Sequence, residues 1–80
     1  MLKLIKKIKK DISKHIDLND LKNMRKVDII KWHFGIGLYI RNKYLYKKPK
    51  NIKILSEYYH TTVVDTISDK ILIDIVATLD

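Results

Sequence analysis

The chain has no cysteine, a single proline and only two glycines among its 80 residues. Without cysteine, neither a disulfide framework nor a thiolate zinc site can stabilise a domain of this size. No stretch approaches the roughly 18 consecutive apolar residues that a membrane-spanning helix needs. Lysines interrupt the N-terminal apolar residues at every one or two positions, which is unlike a cleaved signal peptide. We therefore expect a soluble, cytoplasmic protein.

The length and the apolar content limit the classes of protein that this chain can represent. A chain this short predicts one domain, over residues 1–80. Folding at this size buries only roughly 60% of the surface of the unfolded chain, which argues against a multi-domain enzyme with a deep cleft. The hydrophobic fraction of 46% is too high for a disordered chain.

Acidic residues are scarce in the first two-thirds of the chain. Residues 1–53 carry 16 basic side chains and 4 acidic ones, a net charge of +12, whereas residues 54–80 carry one basic and 5 acidic side chains, a net charge of −4. Such asymmetry indicates electrostatic partners rather than a particular fold. A lysine-coated surface without any ligand is the alternative. The two basic clusters are Lys3, Lys6, Lys7, Lys9, Lys10 and Lys14, and Arg41, Lys43, Lys47, Lys48, Lys50 and Lys53.

Apolar residues recur at helical spacing in the flanking parts of the chain. A basic amphipathic helix is predicted over residues 1–16. A short helical turn follows over residues 18–23, with Asp17 as its N-cap. A C-terminal helical pair is predicted over residues 50–80, with Asn51 capping its first helix and Asp65 or Thr66 beginning its second. The stripe of the first helix consists of Leu2, Ile5, Ile8, Ile12 and Ile16.

The segment 27–45 is apolar on nearly all sides of a helical projection, which is typical of a buried helix. Gly35 and Gly37 each cost about 1 kcal/mol there relative to alanine, so a neighbouring group is expected to need the space. Pro49 ends this region. The fold prediction is all-α, a compact bundle of about four helices around a central, glycine-containing buried helix. One face of that helix is predicted to hold Val27, Ile30, Phe34, Leu38 and Leu45, and the other Ile29, Trp32, Ile36 and Tyr39.

Residues 33–44 read H-F-G-I-G-L-Y-I-R-N-K-Y and resemble the signature H-F-G-[LI]-G-x-[WY]-I-R-N-x-[WY] of a family of small bacterial proteins. That family is a domain of unknown function, so the resemblance implies a small helical protein and no chemistry. The chain departs from the family at Tyr44, where a tryptophan is usual, and at residues 63–65, where the family has Pro-Asp-Asp. The motif residues of the central segment are Trp32, His33, Phe34, Gly35, Gly37, Tyr39 and Asn42.

No arrangement of residues indicates catalysis or metal binding. The three histidines lie 18 and 27 residues apart, and none forms a pair at helical ligand spacing. The serines lie in no nucleophile elbow, and no strand precedes the two glycines as a dinucleotide-binding loop requires. We therefore expect no enzyme activity, no catalytic residue, no metal and no cofactor.

Arg41 must be paired if it is buried, because its guanidinium does not lose its charge. One interpretation is an ion pair with Glu57 or a C-terminal aspartate, or bonds to carbonyls at a helix end, which would lock the last helix onto the central one. The other is an arginine held for a phosphate or for a carboxylate of a partner. His33 is expected to bond a carbonyl. Trp32 and Tyr39 are either core residues or an exposed anchor for another protein.

The segment 41–53 is the best surface for a polyanion, because its cations can neutralise phosphates while Tyr44 and Tyr46 stack on bases. Tyrosines folded back onto the core are the structural alternative. The first helix offers a second basic strip. The predicted binding residues are Arg41, Lys43, Tyr44, Tyr46, Lys47, Lys48, Lys50, Lys53, Lys3, Lys6, Lys7, Lys10 and Lys14.

We therefore expect a binding protein that engages nucleic acid, or a nucleic-acid-processing complex, through a basic face. Its size and composition suit a phage or mobile-element inhibitor of a host defence (CRISPR-type) nuclease. One alternative is an immunity or adaptor module that binds protein alone through Trp32, Tyr39 or the acidic last helix. Another, less favoured, is a peripheral membrane protein that inserts the apolar side of residues 1–16. A homo-oligomer is compatible with each of these.

Overall fold

Five helices make up the described part of the chain, residues 2–79 of this computed structural model. Helix α1 spans Lys3–Ile12 and α2 spans Leu18–Val27. Helix α3 covers residues 31–46, α4 spans Pro49–Tyr59 and α5 spans Val64–Ala77. These residues contain no strand, so the all-α prediction is confirmed. Met1 and Asp80, the ends of the predicted domain, lie outside the described residues.

The helix boundaries differ from the predicted ones in informative ways. Asp17 caps α2 as predicted, accepting a hydrogen bond from the Asn19 N–H at 2.7 Å, and the predicted short turn extends into a full helix. Helix α4 begins at Pro49 itself, whose fixed φ suits the first helical position. Asn51 is therefore not a cap, and its amide instead donates to the Tyr44 carbonyl at 2.9 Å. Helix α5 begins after Val63 rather than at Asp65 or Thr66.

Helix α5 packs against the whole bundle. It contacts each of the other four helices. Its buried side chains are apolar apart from one serine, and they recur at a spacing of three to four residues along one side of the helix. The α1 stripe packs into the same core, with Ile5, Ile8 and Ile12 no more than 1% exposed. No helix within residues 2–79 is both long enough and apolar enough to cross a bilayer.

The predicted buried face of α3 is wrong. Val27, Ile30 and Phe34 are 82%, 66% and 63% exposed, and Leu45 alone of that face is fully buried. Val27 is the last residue of α2, and Asp28, with φ −146° and ψ 75°, separates it from α3. Within α3, Lys31–Ile36 and Arg41–Tyr46 are wound as π-helix around the α-helical Gly37–Ile40. Their wider turns, closed by i→i+5 hydrogen bonds, shift every residue away from its position in a regular α-helical projection. The side that faces the core carries Trp32, Ile40, Arg41, Tyr44 and Leu45.

The two glycines of α3 have different surroundings. A Cβ at Gly37 would lie 3.0 Å from the Trp32 carbonyl oxygen and 3.1 Å from Arg41 Nη1, so Gly37 is where a neighbouring group needs the space. A Cβ at Gly35 would meet only Lys31 Cβ, at 4.0 Å. The expectation that a neighbouring group needs the space beside each glycine is therefore met at Gly37. No such neighbour within residues 2–79 lies beside Gly35.

Alanine substitutions at the two glycines are expected to change stability in opposite directions. Gly35→Ala should stabilise the fold by about 1 kcal/mol, because alanine favours the helix and meets no clash. Gly37→Ala should destabilise it by about 1–3 kcal/mol, because the methyl group is forced against a backbone oxygen and a buried guanidinium. Urea unfolding of the two variants measures both effects. Two changes of the same sign would contradict the steric distinction.

Candidate functional site

A single carboxylate, Asp11, joins α1 to the C-terminal half of α3. Its Oδ2 accepts hydrogen bonds from the Tyr39 hydroxyl at 2.9 Å, the Tyr44 hydroxyl at 2.5 Å and Lys43 Nζ at 2.8 Å. The Asp11 side chain is only 16% exposed. These four residues, Asp11, Tyr39, Lys43 and Tyr44, are called the Asp11 cluster.

The hydrogen bonds of the Asp11 cluster favour the charged form of the carboxyl group. The pKa of Asp11 lies well below its usual range, first because of the Lys43 bond and then because of the Tyr44 bond. The bond to Asp11 also raises the pKa of Lys43 above its usual range. Burial, followed by the bond to Asp11, raises the pKa of Tyr44 to about 12. The cluster therefore contains a fixed ion pair at neutral pH.

The tyrosines of the Asp11 cluster are not free to stack on nucleic-acid bases. Tyr44 is 3% exposed, and Lys43 Nζ lies 5.5 Å from the ring centroids of both Tyr44 and Tyr39. The His15 ring packs edge-on against Tyr39, with 5.8 Å between the ring centroids. The expected stacking by Tyr44 is therefore wrong, whereas Tyr46 is 54% exposed.

Lysines from two helices line a groove beside the Asp11 cluster. The groove has a volume of about 290 Å³, and its lining contains Lys7, Lys10, Lys14 and Lys43. Asp11 is the single acidic residue among the lining residues, so four ammonium groups and one carboxylate leave a net charge of +3. The ammonium groups of Lys7, Lys10 and Lys14 make no hydrogen bond or ion pair with any residue in the range 2–79. We call this surface the basic groove.

The remaining predicted cations do not line the basic groove. The structure thus joins three lysines of the first cluster to one cation of the second, Lys43. Lys9 has a structural contact instead, since its Nζ donates to Thr78 Oγ1 at 2.7 Å. A separate groove between α2 and α5 carries Lys22, Arg25 and Lys26, which lie outside both predicted clusters. The predicted binding residues Lys3, Lys6, Lys47, Lys48, Lys50 and Lys53 are exposed but line neither groove, and Asn42 is exposed as well.

Arg41 is buried between α3 and α5, with 3% exposure. Its Nη1 donates to Ser68 Oγ at 2.8 Å, and its Nη2 donates to the His33 carbonyl at 2.9 Å. Its Nε lies 3.4 Å from Asp65 Oδ1. Of the two interpretations of Arg41 that the sequence allowed, the structure thus has the ion pair with an aspartate of the last helix. The guanidinium offers no accessible side to a phosphate.

The other motif residues surround this arginine. The His33 ring lies between two carboxylates, with Nδ1 at 3.2 Å from Asp69 Oδ1 and Nε2 at 3.7 Å from Asp65 Oδ2, rather than on a carbonyl. Trp32 is 2% exposed, so it is a core residue and not an exposed anchor. Residues 2–79 contain no group of three histidine or acidic side chains that could hold a metal ion.

Sequence reasoning missed Asp11 as the organising residue of the site. A signal for it exists, because Asp11 is the one acid within the lysine-rich first helix. An acid in that position lowers the charge of a basic strip, so its presence indicates a specific partner. The partners themselves lie 28 to 33 residues away along the chain and become neighbours only when α1 docks on α3.

Comparisons with known proteins give no match to a family model, to a curated protein or to a solved structure. The resemblance of residues 33–44 to a bacterial family remains an expectation from the sequence. The basic groove and the Arg41 network therefore have to be interpreted from their own geometry.

The Asp11 cluster predicts a specific acid sensitivity. Because the pKa of Asp11 is lowered on folding, its contribution to stability is present above the ordinary value of about 4 and is lost as pH falls below it. The melting temperature should therefore decrease on acidification below that value, and decrease less in Asp11→Asn, which should already melt lower at neutral pH. Thermal unfolding at several pH values measures this. Identical acid profiles for the two proteins would contradict the assignment.

Replacing Arg41 by lysine should destabilise the fold by about 2 kcal/mol, because one ammonium group cannot replace the three separate contacts of the buried guanidinium. Arg25→Lys, at an exposed position, is the matched control and should stay within about 0.5 kcal/mol of the parent protein. Urea unfolding compares the two variants. An Arg41→Lys protein as stable as its control would show that the buried network is not needed for folding.

Proposed function

We propose that this protein is a non-enzymatic binding protein whose basic groove holds the phosphate backbone of a nucleic acid. The observation that carries the proposal is the convergence of Lys7, Lys10, Lys14 and Lys43 on one groove with a net charge of +3. Lysine ammonium groups bind phosphates as point charges, and the counterions released from the nucleic acid supply much of the affinity.

The Asp11 cluster supports this proposal by making the groove rigid. Three donors from α3 hold the Asp11 carboxylate, which fixes the distance between the lysines of α1 and Lys43. A site that is already formed does not lose the free energy needed to order its side-chain framework on binding. The charge of Asp11 is offset locally by Lys43, so it opposes an incoming phosphate only weakly.

The structure disfavours the two alternative functions, membrane insertion by α1 and binding to protein alone. The apolar face of α1 is buried through Ile5, Ile8 and Ile12, which leaves that helix no apolar side to insert into a membrane surface. The anchors suggested for a protein-only adaptor are also unsuitable, because Trp32 is buried and Tyr39 is bonded to Asp11. Nucleic-acid backbone binding is the function that the accessible lysines favour.

The charge of the basic groove also decides how this protein would inhibit a host defence nuclease. A nuclease channel that holds nucleic acid is itself basic, so it would repel this groove rather than accept it. An inhibitor of a host defence nuclease built on this chain would therefore act by covering the nucleic acid and not by filling the channel. The cytoplasm is the site of action that we propose for it.

The proposal predicts a strong dependence of nucleic-acid affinity on salt. Binding of a short fluorescent duplex, measured by anisotropy between about 50 and 200 mM salt, should weaken linearly on a log–log plot with a slope of about −3. Lys7→Ala, Lys10→Ala and Lys14→Ala should each make that slope shallower by about 1, since each removes one phosphate contact.

Lys70→Ala is the matched control, because it removes one positive charge from an exposed position on α5, outside the basic groove. It should leave the slope unchanged. Affinity that does not vary with salt would reject phosphate binding. An effect of Lys70→Ala equal to that of Lys10→Ala would mean that net charge, and not the groove, drives the binding.

A further inference from the structure

A small apolar pocket lies beside the basic groove, between the end of α1 and helix α3. Its volume is about 210 Å³, and it is lined by Ile12, His15, Ile36 and Tyr39. Pockets that hold whole small-molecule ligands measure roughly 300–1,000 Å³. The size of this pocket therefore suits one flat ring rather than a larger ligand. We call it the seam pocket.

The side chains around the seam pocket differ in how firmly they are held. Ile12 is 1% exposed and belongs to the core. Tyr39 is fixed through its hydroxyl, which donates to Asp11 Oδ2 at 2.9 Å. The His15 side chain, by contrast, is 62% exposed, and imidazole is one of the rings on which nucleic-acid bases stack. The pocket is thus already formed, with one accessible aromatic ring at its rim.

The seam pocket and the basic groove share a boundary at the Asp11 cluster. Asp11 Oδ1 lies 3.7 Å from His15 Nε2, while Asp11 Oδ2 accepts from Lys43 Nζ at 2.8 Å. Lys43 Nζ also donates to the Tyr39 hydroxyl at 3.1 Å. Lys14, which lines the groove, directly precedes His15 in the chain. An apolar space for a ring and cations for a phosphate are therefore immediate neighbours.

We propose that the seam pocket takes one unpaired base of a single-stranded nucleic acid whose phosphates lie in the basic groove. This inference rests on the proposed function and adds the strand state of the ligand. A nucleotide carries an anionic phosphate and a flat ring only one sugar apart, which matches the adjacent groove and pocket. A protein side chain would fill the pocket but leave the +3 charge of the groove without a counter-charge. In a duplex the bases are stacked inside the helix and do not reach the pocket.

The lining of the seam pocket favours binding of any base over readout of sequence. Ile12 and Ile36 have no hydrogen-bonding group in their side chains, and the Tyr39 hydroxyl is already bonded to Asp11 and Lys43. Stacking and apolar contact tolerate different bases, because every base has a π-face.

The experiment measures the affinity of the full chain for three fluorescent probes by anisotropy, over a range of salt concentrations. The probes are a short oligothymidylate, an abasic strand with the same number of phosphates, and the duplex used above. We expect the oligothymidylate to bind at least about fivefold more tightly than the abasic strand, because one base is stacked. The salt slopes of these two strands should be equal, since both present the same phosphates.

A histidine variant locates the base. His15→Asn removes the exposed ring and should weaken oligothymidylate binding by about fivefold, while the affinity for the duplex and the salt slopes stay unchanged. His60→Asn is the matched control, because it removes an exposed imidazole from the connection between α4 and α5. Asparagine tolerates the positive φ of 57° at that position. The control should leave the affinity for all three probes unchanged.

Each contrary result rejects a defined claim. Equal, salt-dependent affinity for the oligothymidylate and the abasic strand would reject the base pocket and leave phosphate binding in place. Equal losses in His15→Asn and His60→Asn, or an equal loss of duplex and oligothymidylate affinity in His15→Asn, would also reject the base pocket. The failure of all three probes to bind, or affinities that do not vary with salt, would reject the proposed function and the base pocket with it.

Discussion

The permanent charge of a buried arginine is the constraint on which the rest of this structure depends. Arg41 cannot be neutralised, so the core must supply acceptors around it. It does so from two helices, through the His33 carbonyl of α3 and through Ser68 and Asp65 of α5. Gly37 has no side chain at the point where the guanidinium passes. The docking of α3 on α5 is thus organised by one cation.

The Asp11 cluster is the counterpart of this network, with the sign of the charge reversed. There a carboxylate from α1 is surrounded by two hydroxyls and an ammonium group from α3. The two networks attach α3 to different neighbours, one on α5 and one on α1. Because Asp11 is occupied by α3, the lysines around it keep their charges available to a ligand, and the basic groove results.

Helix α3 therefore presents three surfaces with different chemistry. One side is buried with Arg41, a second contributes Lys43 to the basic groove, and a third exposes Phe34 and Leu38. The π-helical turns contribute to this division, since they change the direction in which successive side chains of α3 point.

The sequence by itself determined the helical class, the buried stripe of α1, the Asp17 cap and the need of Arg41 for a partner. Each of these follows from local periodicity, from capping chemistry or from the fixed charge of one side chain. The tertiary structure alone decided which side of α3 is buried and which lysines converge. Those outcomes depend on π turns and on contacts between distant residues such as Asp11 and Tyr44. A helical projection cannot supply them, because it assumes one constant rotation per residue and contains no neighbouring helix.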